Sequence, residues 1–440
     1  MRTLLGDYCK TLTLLWSLSS CFILQGMFIV SFPYAVHQGG YWAIMAMLLV
    51  AYICCYTGKI LVDCLYEESE SGVLTRVRTS YADIAEVVFG KRAGRSVVNT
   101  AQVIELLMTC ILYVLLCGDL LQGSFETKLP LSAWITLSAV PLLFCSFIRT
   151  MRRVSWLSLW CSVAHMLINA IILIYCLSLV KQWQPQAVKI KPDIWTVPIS
   201  LGIIVFSYTS QIFLPTLEGK LVNREKFSCM MHWTHIAAAI FKALFSYIGY
   251  ITWGENTQEV ITNNLPTALK IVVNMILVVK ALLSYPLPYY AAVEIIETSF
   301  FQDQSQTFFS SCYDDNMGVR WWATMLRVLL VICTMLMAIF IPHFALLMGL
   351  IGSFTGTMLS FVWPCIFHLY LKRGKLRWYQ ILIDSIIILL GILCGVMGIY
   401  YSAVALLHAF KESHLLPSTI TVAEIASKAV NETMKSHLMG

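Results

Sequence analysis

Two polar stretches interrupt long apolar runs of this chain. Gln25-Gly26-Met27-Phe28 is followed by Ser31-Phe32-Pro33-Tyr34, and Gly202 by Ser207-Tyr208-Thr209-Ser210-Gln211 and then Pro215. Each stretch combines a glycine, a polar centre and a proline further on. A membrane helix interrupted in this way frees backbone N–H and C=O groups, which lipid tolerates only where a cavity or ligand satisfies them. Glycine and proline are also ordinary packing and kinking residues of such helices. The matched pair, with five consecutive polar residues in one member, points instead to a substrate site lined by Gln25, Gly26, Met27, Phe28, Ser207, Tyr208, Thr209 and Gln211. The chemistry is binding. Freed N–H groups near Gly26, at the positive end of a half-helix, suit a carboxylate. Carbonyls and hydroxyls around Ser207, Tyr208 and Thr209 suit an ammonium group.

Ionisable residues inside apolar runs form the second constellation. Glu105 sits in Ile104-Glu105-Leu106-Leu107 and Lys280 in Val279-Lys280-Ala281-Leu282. Either would cost about 2.5–3.5 kcal/mol or more at the bilayer centre, so such residues face the bundle interior and pair. The two are candidates for proton coupling: a conformational change that alters their pairing would load and release a proton. A static buried ion pair is the other reading. Lys242 and Arg327 lie nearer the ends of their runs and can snorkel. His165 and His235 suit either proton relay or hydrogen bonding within a bundle, and Glu218 and Glu294 suit gates or caps. Most cysteines fall in apolar runs and read as small packing residues, with no metal-ligand spacing.

The elements that must carry these residues are membrane helices. Of 440 residues, 58% are hydrophobic and 12% charged, and the mean hydropathy is +0.75. About 20 apolar residues span a hydrocarbon core, and eleven spans can be drawn: 12–37, 41–65, 97–122, 132–148, 155–180, 194–217, 230–253, 267–297, 321–341, 343–371 and 377–409. The first could pass for a signal peptide, but its apolar run is too long for an h-region. The interrupted helices are the first and the sixth, five apart, as an inverted repeat of helices 1–5 and 6–10 requires. This divides the chain into a short cytosolic N-terminus (1–11), a first repeat (12–180) with an amphipathic cytosolic segment at 67–96, a second repeat (181–371), an eleventh helix (372–410) and a luminal tail (411–440). Lys and Arg fall 18 to 8 in favour of the N-terminal side, and no arginine lies opposite. The positive-inside rule therefore places the N-terminus in the cytosol. The sequon Asn431-Glu432-Thr433 lies in the tail on the far side.

Several functions are excluded or disfavoured. The net charge of +6 is dispersed, unlike the single basic face that binds nucleic acid. HExxH, GxSxG and phosphate-loop motifs are absent, so an enzyme is not expected, and neither are cofactors or metals. An ion channel lined by the interrupted helices is a second class, separable by the charge carried per opening.

Gln25-Gly26-Met27-Phe28 with Phe32-Pro33-Tyr34-Ala35 and Gly39-Gly40-Tyr41 resembles the first helix of the amino acid/auxin permease family. The resemblance continues through Cys54-Cys55-Tyr56-Thr57-Gly58-Lys59, Ile104 to Tyr113, Gly202 to Pro215, Lys280 to Pro288 and Pro342 to Leu350. It implies a leucine-transporter-like fold in a multi-pass protein energised by a proton gradient. Its closest branch implies exchange of protons for small zwitterionic amino acids (GABA, glycine, with β-alanine as a further candidate) across acidic synaptic-vesicle membranes, with chloride a candidate co-ion. That branch usually carries a long hydrophilic N-terminal region, whereas 1–11 is short here. A lysosomal or plasma-membrane proton-coupled permease for other neutral amino acids is the alternative.

Overall fold

Apolar runs in lipid have few options, because a backbone without water must bond to itself and an isolated segment does so as a helix. A computed structural model describes residues 28–438 apart from 70–71, 73, 92, 126–128, 145–151, 192, 220, 222–223 and 301–320. Gln25, Gly26 and Met27 lie outside the described residues. Among those described, eight helices are long and apolar enough to cross a membrane: Ile29–Asp63, Ala93–Ser124, Val197–Gly219, Lys226–Asn256, Thr267–Ser299, Trp321–Phe340, Phe344–Leu371 and Trp378–Lys411. Two shorter apolar helices are Leu131–Leu143 and Val163–Ser178. The protein is a helical integral membrane protein.

In chain order the helices are α1 (Phe32–Asp63), α2 (Tyr81–Phe89), α3 (Ala93–Ser124), α4 (Leu131–Leu143), α5 (Arg152–Ser178), α6 (Val197–Tyr208), α7 (Leu214–Gly219), α8 (Glu225–Trp253), α9 (Thr267–Ser284), α10 (Pro286–Phe300), α11 (Trp321–Phe340), α12 (Phe344–Ile351), α13 (Trp363–Leu371) and α14 (Trp378–Leu438). The segment 411–440, read from sequence as a tail, continues α14 as far as Leu438. α1 leaves helical geometry at Gly40, whose φ of 58° favours glycine. A Cβ there would also strike the carbonyl of Lys189, which accepts from Tyr41 N–H.

One departure from an all-α fold is a hairpin, β1 (Tyr66–Glu68) paired antiparallel with β2 (Leu74–Arg76). It lies in the segment expected to be amphipathic. α2 follows, started by a capping box in which Ser80 accepts from Asp83 N–H and Asp83 accepts from Ser80 N–H.

α6 and the chain around α12 approach backbone to backbone. A Cβ on Gly202 would collide with the carbonyl of Gly349, and one on Gly352 with the carbonyl of Gly202. Small residues permit this apposition, as between membrane helices generally. Gly391 and Gly395 likewise bring α14 against Phe361 and Thr357. Gly202→Ala is therefore expected to lower stability by about 2 kcal/mol or more, because backbone cannot yield as a side chain does. Thermal unfolding in detergent checks this, and an unchanged midpoint would refute the close approach.

Candidate functional site

The sixth apolar run is not one helix. α6 ends at Tyr208, Thr209 has ψ 89° and Ser210 φ −121°, and the chain resumes as a 3-10 turn (Gln211–Phe213) and then α7. The terminal carbonyls of a helix need partners, and here the polar run supplies them. Ser207 Oγ donates to Ile204 O at 2.8 Å, Thr209 Oγ1 to Val205 O at 3.0 Å and Thr209 N–H to Phe206 O at 3.2 Å. Ser207 O accepts from Lys242 Nζ at 2.9 Å.

Lys242 overturns its sequence reading. It does not snorkel: it is buried on α8, bonds both the carbonyl and the hydroxyl of Ser207, and lies 3.6 Å from the ring centroid of Tyr208. A position near the end of an apolar run does not reveal that a neighbouring helix is broken at the same depth. Arg327 does not snorkel either. It is buried on α11 and grips the Glu297 carboxylate with Nε at 3.0 Å and Nη2 at 2.9 Å.

Several sequence candidates are already engaged within the protein. The Gln211 amide, fully buried, donates to Thr57 Oγ1 at 3.3 Å and accepts from Ser360 Oγ at 2.9 Å and Ser210 N–H at 3.0 Å, tying α1, the break and the α12–α13 segment together. Ser207 and Thr209 close the helix end. Tyr208 Oη and Ser210 Oγ are buried hydroxyls at the break with no partner among the described residues, and so is Ser31 Oγ. Buried polar groups are ordinarily paired, so these three hydroxyls are able to receive a ligand. Ser210 and Ser31 were not among the sequence candidates; the signal that finds them is their lack of an internal partner.

Phe28 joins the first interrupted segment to the rest. It precedes a 3-10 turn (Ile29–Ser31) that opens into α1. Its ring stacks on Tyr113 of α3 at 5.2 Å and meets Phe206 of α6 at 5.3 Å and Phe344 of α12 at 5.9 Å. Four aromatic side chains from four segments therefore converge beside the α6 break. They form an apolar wall of the kind that surrounds a few placed polar groups in a small-molecule site.

Glu105 is buried on α3, and its carboxylate accepts a hydrogen bond from Thr355 Oγ1. Thr355 lies in the first of two π-helical turns, Gly352–Gly356 and Met358–Val362, between α12 and α13. Such turns recur at functional sites. Lys280 is buried on α9, which packs against α3. His235 Nδ1 lies 2.9 Å from Met231 O within α8, and His165 is buried on α5.

Each end of the bundle has its own clasp. On the arginine-rich side Glu218, at the end of α7, accepts from Tyr66 O–H and pairs with Arg76 at 3.6 Å, while Arg76 donates to Pro215 O at 2.9 Å. The β1–β2 hairpin thus grips the second half of the broken helix. Glu294 is exposed and makes no such clasp among the described residues. At the opposite end Glu259 accepts from Ala345 N–H at 2.9 Å, at the start of α12. Burial raises its pKa above the usual carboxylate range, opposed by the N–H bonds from Ala345 and Phe344.

Comparison with known proteins adds the family context. Residues 11–407 match the family described as transmembrane amino acid transporter protein. The vesicular inhibitory amino acid transporter of Xenopus tropicalis is 49% identical over 402 residues, covering 90% of this chain and 77% of that protein. The human protein of the same name is 48% identical over 401 residues, covering 90% and 76%. The vesicular GABA transporter of Caenorhabditis elegans is 45% identical over 399 residues, covering 90% and 80%.

Proposed function

Because the chain belongs to the transmembrane amino acid transporter family, we propose that it is a secondary carrier that loads small inhibitory amino acids, GABA and glycine, into acidic vesicles in exchange for protons. The observation that carries the reading is the break of the sixth apolar run at Thr209–Ser210, with unpartnered hydroxyls of Tyr208 and Ser210 beside it. Discontinuous helices at this depth are how carriers build substrate sites. The names of the relatives, vesicular inhibitory amino acid transporter and vesicular GABA transporter, support the substrate and the vesicle membrane.

In this reading eleven spans form an inverted repeat of two five-helix units plus an eleventh helix, and the arginine-rich side faces the cytosol. A zwitterion enters between the first, third, sixth and eighth spans. Its aliphatic part packs on Phe28, Tyr113, Phe206 and Phe344. Its polar ends meet the hydroxyls at the break and the backbone near Gly26. Glu105 takes a proton from the lumen and releases it toward the cytosol, and the pairing of its carboxylate differs between the two states. Lys280 sets the field around that carboxylate from the neighbouring helix. Protons are the coupling ions, with chloride and β-alanine as further candidates.

The test is a substrate panel in proteoliposomes, acid inside, with and without the pH gradient. GABA and glycine are expected to accumulate only with the gradient, and glutamine is expected not to. Accumulation of glutamine without GABA or glycine would move the protein to the permease reading for larger neutral amino acids.

A further inference from the structure

Asp384 is a carboxylate with no exposed surface, inside an apolar helix, and the proposed function does not use it. Its Oδ1 accepts from Tyr56 O–H at 2.8 Å, and its Oδ2 lies 2.7 Å from His368 Nδ1. Three segments thus each contribute one group: α1, α13 and α14. An ionisable residue inside a membrane is costly, and where it persists it marks an ion or proton pathway. A buried pair is weak evidence for a stabilising role, since apolar residues usually serve as well.

Its depth is informative. Asp384 follows the exposed Trp378 and Tyr379, an aromatic pair of the kind found at the membrane interface. It lies six residues into α14, about 9 Å from the arginine-rich end. Glu105 lies twelve residues into α3 from the same end, about 18 Å. Counted along its own helix from that end, Asp384 is thus nearer the start than Glu105 is. The chain from α12 to α13 meets polar groups in that order: Thr355 holds Glu105, Ser360 holds Gln211, and His368 holds Asp384. The π-wound stretch 352–362 carries the first two of these contacts and leads into α13, which carries the last. A shift within it would move both ends of this ladder.

We propose that Asp384 and His368 form the proton-release station on the arginine-rich side of the carrier, receiving protons delivered by Glu105 and passing them to water. The proposal rests on the proton-exchange reading above. Arrival adds one proton to the pair, giving an imidazolium beside a carboxylate. Release returns a neutral imidazole, and no other bond changes. Tyr56 O–H orients the carboxylate throughout. Among the described residues, the other titratable groups facing the pair are Cys365 on α13, Asp63 at the end of α1 and Cys64 just after it, with Lys372 beyond α13, Lys59 on α1, Arg224 beside α8 and Arg78 after β2 within electrostatic reach of these.

The experiment compares Asp384→Asn, His368→Gln and Tyr56→Phe with the parent in proteoliposomes loaded with GABA. Gradient-driven accumulation and gradient-independent GABA/GABA counterflow are both measured while the pH on the arginine-rich side is varied. In Asp384→Asn and His368→Gln, accumulation is expected to fall about tenfold or more with counterflow retained. Tyr56→Phe is expected to shift the pH profile while keeping accumulation. Accumulation at the parent level with an unshifted profile in the first two variants overturns the proposal. Loss of counterflow together with accumulation in those two variants also overturns it, because the cluster is then a structural clasp. If the parent itself shows no gradient-driven accumulation, the carrier reading fails first, and the two failures are distinguishable.

Discussion

Glu105→Gln is expected to abolish gradient-driven accumulation of GABA and glycine, a loss of about a hundredfold or more, while the protein still folds and reaches its membrane. Glutamine matches glutamate in size and can still accept from Thr355 Oγ1, so the contact between α3 and the π-wound stretch survives. In the proposed exchange, what is lost is the one proton the carboxylate takes up and gives back. Burial supplies the reason for choosing this residue. A carboxylate with so little exposed surface on a helix facing the bundle interior must change its hydration or its partner whenever α3 and the α12–α13 segment move relative to one another. That change is the physical content of proton coupling. Counterflow, which needs no net proton movement, is expected to persist. Accumulation in Glu105→Gln with the parent's pH dependence would remove Glu105 from the mechanism and leave Asp384 and His368 as the candidate coupling groups.

The relation between sequence and structure differs from one group to another. The long helices are legible because hydrocarbon leaves an apolar run no other way to satisfy its backbone. The break after Tyr208 is legible because five polar residues in succession cannot all face lipid. What those residues do there is less legible. Ser207, Thr209 and Gln211 read as ligand groups, yet each is engaged by the protein's own helix ends or by Thr57 and Ser360. Hydroxyls suit both tasks, and only the three-dimensional partners decide between them. Lys242, Arg327 and Asp384 were misread or passed over for a related reason. Their partners lie on different helices, at sequence separations of 35, 30 and 16 to 328 residues. No periodicity within one helix encodes which neighbour faces it. The hairpin was missed because strands of three residues carry no usable alternation.

Lys242→Met is expected to reduce transport of every substrate by about a hundredfold, since three of the interactions that end at its nitrogen act on the end of α6. The first is the bond to Ser207 O at 2.9 Å. Without it a carbonyl inside the bundle loses its partner, at about 1–3 kcal/mol. The second is the positive charge at the C-terminal end of α6, worth up to about 2 kcal/mol in partly buried geometry. The third is the approach to the Tyr208 ring at 3.6 Å, worth about 0.5–2 kcal/mol. These energies overlap and do not add, but each acts on the half-helix that ends beside Tyr208 and Ser210. Methionine keeps most of the apolar stem, so loss of packing is a minor part of the effect. Lys242→Arg keeps the charge and a donor but not the compact geometry, and is expected to retain intermediate activity. A smaller variant, Lys242→Ala, separates an electrostatic role from a purely structural one. Added methylammonium restores a cation and a donor to the vacated space and is expected to recover part of the counterflow, while a neutral alcohol of similar size is not. Recovery by both or by neither would make the lysine a packing residue. Transport by Lys242→Met close to the parent level would show that the broken helix needs no cation to hold its end.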